Sequence, residues 1–400
     1  MPPSPRAYEL LIAGVLVRWE IAESNSGTGL PLEGLRVLDL SRVLAGPLCA
    51  MVVGDLGADV IKVESPAGDP VRELAPPRLN GLATYYLSVN RHRRNVTLDL
   101  SNAEDLAKLE ALIAQADAVI ENYLPYQRDR FGLEQLRLAN PDVIWVSVTP
   151  ASGTGPLANE PTFDLLAQAR SGLMSVTGEF DGEPTKVGAP LADVVTGLYA
   201  AIGLLAALVG KLQGRPGRHI EAPLLESTMT ALVNQMQGFL VTDQVPGRLG
   251  NHHPSIAPYG PVRASDGLLL LAVGTDAQFE SLDRALDGMI LREHPEWLTN
   301  EIRVVERDAL HAYLDELFAT QSVDAWLKSL MEARVPCAPI YDVAEAVRQP
   351  QIADSDFVGT TDSVVGPIAM LRSPLRIDGK RPELRSGPRG LGQDNDLLED

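Results

Sequence analysis

An α/β protein with a Rossmann-like large domain and a smaller α/β domain is what this sequence predicts, and three observations carry the prediction. "LRVLDLS" from Leu35, then "GPLCAMVVGDLG", then "ADVIKVES" read as buried strand, helix and buried strand. Such a βαβ unit implies a parallel sheet with a right-handed crossover. Strand-like runs recur in 95–100, 116–123 and 142–150, with a helical "NAEDLAKLEALIAQA" between the first two. Finally, the texture changes after about Ala222 into the turn-rich "GRLGNHHPSIAPYGPVRASDG", followed by an apolar "LLLLAVG" and helical segments.

Taken in order, residues 1–30 form an N-terminal extension. Its "LLIAGVLV" has some character of a signal segment, but Glu9, Glu20 and Glu23 and the lack of a small-x-small site oppose that, so a loosely docked extension is expected. The first helix carries Pro47 near its start and stops at Gly57, the ordinary asymmetry of helix ends. The large domain is expected over 31–226 and 336–400, with the small domain over 227–335. The acidic tail "LGQDNDLLED" reads as solvated.

Composition narrows the function. Four hundred residues with a net charge of −19 argue against nucleic acid or an anionic membrane as partner. Two cysteines, Cys49 and Cys337, make neither a disulfide framework nor a zinc site, which points to a reducing, cytoplasmic setting. The six histidines have no ligand spacing, so no metal is expected. The turn after the first strand is "SRVLAGP" rather than a dinucleotide fingerprint, and neither a G-x-S-x-G elbow nor a phosphate loop is present.

Two features could carry chemistry. "NRHRR" places Arg91, Arg93 and Arg94 together in a very acidic chain, either as a phosphate patch or as a loop pairing with surplus carboxylates. Arg72 and Arg130 add basic positions near predicted strand ends, where open α/β sheets bind ligands. In "APLADVVTGLYAAIGLLAALVG" one acid, Asp193, heads a long apolar run too short for a comfortable membrane span. Locally it reads as a helix N-cap, with a nucleophilic carboxylate as the alternative.

Many ordered strings resemble the family III CoA-transferases: "PLEGLRVLDLSRVLAGPLCAMVVGDLGADVIKVESPAGDPVR", "TYYLSVNRHRRNVTLDL", "ADAVIENYLP", "DLLAQARSGLMSVTG", "LADVVTGLYAAIGLLAAL", "GNHHPSIAPYG" and "VPCAPI". They span about Pro31 to Gly392 and are most similar to the succinate–glutarate or hydroxymethylglutarate type. The resemblance implies interlocked homodimers of Rossmann-like large and small domains, the chain crossing between them twice. It implies a CoA thioester as co-substrate, a small carboxylic acid as acceptor, and no tightly bound cofactor. It makes Asp193 the nucleophile, kept ionised by its helix N-terminus. It places Val43, Leu44 and Ala45 beside the pantetheine, Leu98, Asn122 and Tyr123 on the CoA moiety, and Arg130 on a phosphate. Ser101 stands where formyl-CoA transferase has a CoA-contacting lysine, so the "NRHRR" arginines, Arg91 and Arg94 among them, are expected to compensate, and Arg72 is a further expected CoA contact. Gly250 is expected to donate to an oxyanion within a mobile lid, 247–260, and His253, Ser255 and Tyr259 to cradle a distal carboxylate. Phe163 occupies the position of the racemase branch's histidine, which favours transfer over racemisation, and the presence of Asp193 and the glycine loop argues against the other alternative, a non-catalytic CoA-binding paralogue.

Overall fold

The computed structural model describes residues 27–398 except 154, together with 11–12, 15–16 and 19–20. The chain divides into two compact units, residues 1–173, 187–241 and 351–400 forming the first and residues 174–186 and 242–350 the second.

The first unit is built on a six-stranded parallel sheet. In chain order its strands are β1 (Arg36–Asp39), β2 (Asp59–Glu64), β3 (Arg93–Thr97), β4 (Ala118–Glu121), β5 (Ile144–Thr149) and β6 (His219–Pro223). Their spatial order is β6-β5-β4-β1-β2-β3, the doubly wound arrangement whose direction of winding reverses between β1 and β4. Both faces of the sheet are covered, which is why these strands read as nearly continuous apolar runs. On one face α1 (Ala45–Asp55) and the long α7 (Leu191–Leu212) bury Val37, Val60, Ile120, Val146 and Leu204. On the other, α3 (Ala103–Gln115) and α5 (Leu133–Ala139) cover Leu38, Ile61, Val119 and Trp145.

Two glycines fix how α1 packs. Gly57 follows the end of α1 at φ +111°, where a Cβ would lie 2.7 Å from that of Leu30. Gly197 lets α7 approach so closely that a Cβ there would lie 2.6 Å from the Ala45 carbonyl oxygen.

Two described stretches near the ends of the chain are firmly seated. Trp19 is fully buried, its backbone N–H donating to Gln115 (3.0 Å) and its indole N–H to Asp59 (2.8 Å). At the other end, Asp394 and Asn395 cap the free edge of β3. The Asn95 N–H donates to Asp394 and the Thr97 N–H to Asn395, while Leu398 enters the core. The solvated tail is therefore corrected to an edge cover, a common protection for an otherwise open strand.

The second unit pairs β7 (Tyr259–Arg263), β8 (Leu268–Ala272) and β9 (Cys337–Pro339) into an antiparallel sheet packed by helices including α8 (Asp276–Ala285), α9 (Arg307–Phe318) and α10 (Val323–Glu332). This moves the expected boundaries. Residues 337–339 cannot have returned to the large domain, because they form a strand of this sheet. Residues 174–186 belong here as well, since the Gly250 N–H donates to the Gly178 carbonyl (3.0 Å) and Arg248 to that of Glu179. The chain passes between the units four times rather than twice.

Candidate active site

Asp193 lies in the first turn of α7, but Pro190 is the N-cap residue, so the local reading of Asp193 as the cap is corrected. Position i shares a face with i+4 and i+7, and here those are Gly197 and Ala200, both buried against the sheet side.

Asp193 is partly buried, and among the described residues no hydrogen bond or ion pair reaches its carboxylate. Burial raises its pKa from the ordinary carboxylate range to about 7, and the neighbouring Asp164 charge adds to the effect. The helix N-terminus pulls the other way, but burial and like charge prevail, which corrects the expectation of a carboxylate held simply ionised. A carboxylic acid poised near neutrality in a partly dry site can act as nucleophile or proton carrier.

Asp164 opens α6 (Asp164–Arg170), immediately after the exposed Phe163. It accepts from the Ala192 backbone N–H (2.8 Å), satisfying one of the open donors of α7, and from the Gln168 amide (2.7 Å). Gln168, itself buried, accepts from the Val187 N–H (2.8 Å). One acid thus fixes the start of the helix carrying Asp193 and electrostatically raises that residue's pKa. Sequence inspection missed it because the two lie 29 positions apart.

Tyr85, on α2 (Thr84–Val89), joins the group. Burial pushes its phenol up to about 12, and the Asp193, Asp164 and Asp69 charges contribute. The string "TYYLSVNR" contained it, but an isolated tyrosine carries no signal of its own.

The first strand's loop closes the site. Val43 holds φ +70°, a left-handed conformation costly for a β-branched residue. Its N–H points at the Asp69 carboxylate (3.2 and 3.3 Å), which Lys62 pairs with at 3.0 Å. Leu44 caps α1 without a side-chain acceptor, and both Leu44 and Ala45 are buried. Across the reversal point, Asn122 clamps the Arg42 backbone with two bonds, accepting from its N–H (3.0 Å) and donating to its carbonyl (2.7 Å). The Tyr123 N–H donates to buried Glu121 (2.7 Å), and its ring meets Phe131 edge-on at 5.5 Å. Arg130 ends α4 (Pro125–Arg130) with an exposed side chain.

Four expected CoA contacts do not present themselves. Arg91 is locked on Asp55 by two hydrogen bonds of 2.7 and 2.6 Å, and Arg94 on Asp59 at 2.6 Å. Arg72 forms a bidentate pair with Glu64 and also donates to the Tyr86 hydroxyl. Leu98 has its side chain in the core. The "NRHRR" patch is therefore corrected to a set of buried ion pairs. An acidic sheet interior supplies the partners, and an unpaired buried guanidinium would be prohibitive.

The 247–260 segment, described within the second unit, is braced rather than free. Arg307 donates to the His253 and Pro254 carbonyls (2.9 and 3.2 Å), Asn300 to that of Ser255 (2.9 Å), and Arg303 to that of Ala257 (2.8 Å). His253 accepts the Ser255 N–H (3.0 Å) and its ring lies 5.3 Å from that of Tyr259. The Gly250 N–H is occupied by Gly178, so in this conformation it is not a free oxyanion donor. Among the described residues no group of three or more metal-ligating side chains exists.

A doubly wound sheet with polar and aromatic groups gathered at its reversal point, beside an unpartnered carboxylate, defines a ligand-binding α/β enzyme. The comparisons sharpen this: residues 32–395 match CoA-transferase family III, and the chain belongs to that family. It is 36% identical over 375 residues to a succinate–glutarate CoA-transferase of Agrobacterium fabrum, covering 88% of this chain and 93% of that one. It is 35% identical to the human succinyl-CoA:glutarate CoA-transferase, covering 91% and 84% respectively. An acetyl-CoA:oxalate CoA-transferase of Acetobacter aceti is 34% identical, with coverage of 92% and 95%. The crystal structure of a CAIB/BAIF family protein from Brucella suis superposes with a TM-score of 0.82 at 37% identity, over 92% of this chain and 98% of that one. The chain is accordingly a CoA-transferase.

Proposed function

We propose that this enzyme moves CoA from succinyl-CoA, or a closely related donor, to a dicarboxylic acid through covalent intermediates on Asp193. The observation carrying this is the Asp193 carboxylate itself: partly buried, without a hydrogen-bond or ion-pair partner among the described residues, and with its pKa raised to about 7. A side chain serving only to cap or pair would have acquired a donor. The dicarboxylate preference is supported by the activities named for the succinate–glutarate relatives.

Ionised Asp193 attacks the thioester carbonyl, the C–S bond breaks, and CoA thiolate leaves an aspartyl anhydride. The thiolate then attacks the Asp193 acyl carbon and expels the donor carboxylate, giving an aspartyl-CoA thioester. The acceptor carboxylate attacks that thioester, forming a second anhydride and releasing thiolate again. Attack of the thiolate on the acceptor's acyl carbon yields the product thioester and restores Asp193. Desolvation suits these steps, because water would hydrolyse either anhydride.

The expected homodimer finds support on α7, whose outer face leaves Leu198, Tyr199, Ile202, Val209 and Leu212 exposed. This helix is also long and apolar enough to cross a membrane by length and composition alone, yet its other face packs on α1 and the sheet. A second copy covering the outer stripe accounts for it.

Intact-mass analysis after incubation with succinyl-CoA tests the mechanism. A CoA adduct on the peptide carrying Asp193, absent from Asp193→Ala, is expected. Transfer that persists in Asp193→Ala would overturn the assignment. Racemisation, the second reading, predicts solvent deuterium at Cα of a branched acyl-CoA, and Phe163 at the racemase histidine's position opposes it.

A further inference from the structure

Arg42 is the one arginine at the reversal point of the sheet whose guanidinium has been left without a carboxylate among the described residues. It follows β1, as Asn122 and Tyr123 follow β4, so it sits at the crevice between the two strands where the winding reverses. Its backbone is held at both ends by Asn122 (3.0 and 2.7 Å), which fixes where the side chain starts. The guanidinium lies 4.9 Å from the centre of the Tyr123 ring, and its partly enclosed Nε has no hydrogen-bond partner. Other arginines nearby are committed. Arg72 holds Glu64, Arg91 holds Asp55, Arg93 holds Asp39, Arg94 holds Asp59, and Arg128 lies 3.7 Å from Glu121. Arg307 and Arg385 are also half-buried without a carboxylate, but they donate to backbone carbonyls, whereas no hydrogen bond of the Arg42 guanidinium is found among the described residues, which in a chain of net charge −19 calls for a reason.

We propose that Arg42 binds the diphosphate of the CoA substrate, an assignment that rests on the CoA-transferase reading above. Position selects the diphosphate over the other phosphate of CoA. Arg42 is three residues from Ala45, which touches Gly197, one helical turn from Asp193. That path corresponds to the pantetheine arm, which joins the reacting sulfur to the diphosphate. Guanidinium geometry matches paired phosphate oxygens, and stacking on Tyr123 preorganises it without using its N–H groups. The Asn122 clamp acts through the Arg42 backbone, so replacing the side chain leaves the loop tethered.

The test is calorimetric titration of wild type and Arg42→Met with CoA, 3′-dephospho-CoA and pantetheine. Methionine keeps an apolar stem over Tyr123. Binding of CoA and of 3′-dephospho-CoA should weaken equally, by about ten- to a hundredfold, while pantetheine binding and the melting temperature stay unchanged. Arg42→Lys should recover part of the loss. A loss confined to CoA would assign Arg42 to the 3′-phosphate and overturn the proposal. Equal loss for pantetheine, or a lowered melting temperature, would make the side chain structural and overturn it also. Wild type that binds CoA with Arg42→Met binding just as well refutes this inference alone. Wild type that fails to bind CoA refutes the functional reading together with it.

Discussion

The arginine-rich start of β3 and the acidic start of α7 make an instructive pair. Both put charge into the interior of the same unit, yet one is saturated with partners and the other has none among the described residues. Arg93 is buried and donates to Asp39 (2.7 Å), to Asn90 (3.0 Å) and to the Val89 and Pro47 carbonyls. Arg91 and Arg94 are similarly paired. Asp193 faces only desolvation and a like charge. Fully satisfied buried charge holds a scaffold in one geometry, whereas unsatisfied buried charge is stored reactivity. The saturated cluster lies under the loops that form the site, and the unsatisfied residue lies within it.

Substitutions at the two places should therefore fail in different ways. The largest effect is expected for Asp193→Ala, which should lower kcat for CoA exchange by more than about 10⁴-fold while the far-ultraviolet circular dichroism stays native. A residual rate within tenfold of wild type would erase the distinction between the two regions. Arg91→Ala should do the reverse. It leaves Asp55 buried with only the His92 ring, at 3.3 Å, beside it, at a cost of about 3–5 kcal/mol in chemical denaturation, with CoA affinity of the folded fraction unchanged. A stable Arg91→Ala that has lost CoA binding would restore the phosphate-patch reading.

Stability should rise, not fall, when the Asp193 charge is removed. Its folded pKa of about 7 lies above the ordinary carboxylate range, so the ionised form is the one disfavoured by folding. Stability associated with Asp193 is complete below pH 4 and is lost as pH rises through 7. Asp193→Asn should accordingly stabilise the protein by about 1–3 kcal/mol at pH 8, and the gain should vanish near pH 4. Equal melting temperatures for the two proteins across that range would show the carboxylate to be satisfied after all.

The smallest shift concerns Asp164. Asp193 attacks only when ionised, so kcat/KM should rise with pH and level off above about 7. Asp164→Asn keeps an oxygen for the Ala192 N–H but removes the like charge. The acid limb should then move about half to one pH unit lower. A limb that stays in place would leave burial as the whole cause of the raised pKa.

How much of this was legible beforehand follows the range of each interaction. The βαβ opening, the later strands and α7 were visible because apolar periodicity is local. The fate of "NRHRR" was not. Arg91 and Arg94 find Asp55 and Asp59, 36 and 35 residues away, and Arg93 finds Asp39 at a separation of 54. A single sequence shows a cluster of charge but not which face of a strand will be buried, nor which acids will wait there. The second unit's boundary was misplaced for the same reason, since Cys337–Pro339 become a strand only by pairing with Leu269–Leu271.

By itself, then, the sequence determined the alternation of strand and helix, the two-part organisation, the family and Asp193 as the residue to question. It could do so because these follow from short-range pattern and the order of motifs. The tertiary structure decided which charges are spent on holding the fold and which are left available. It paired Arg72, Arg91 and Arg94 with carboxylates, left Arg42 beside Tyr123 with no carboxylate among the described residues, and brought Asp164 and Tyr85 up to Asp193. Each of these depends on long-range packing and on how much water is excluded, because the same side chain is inert when paired and reactive when it is not.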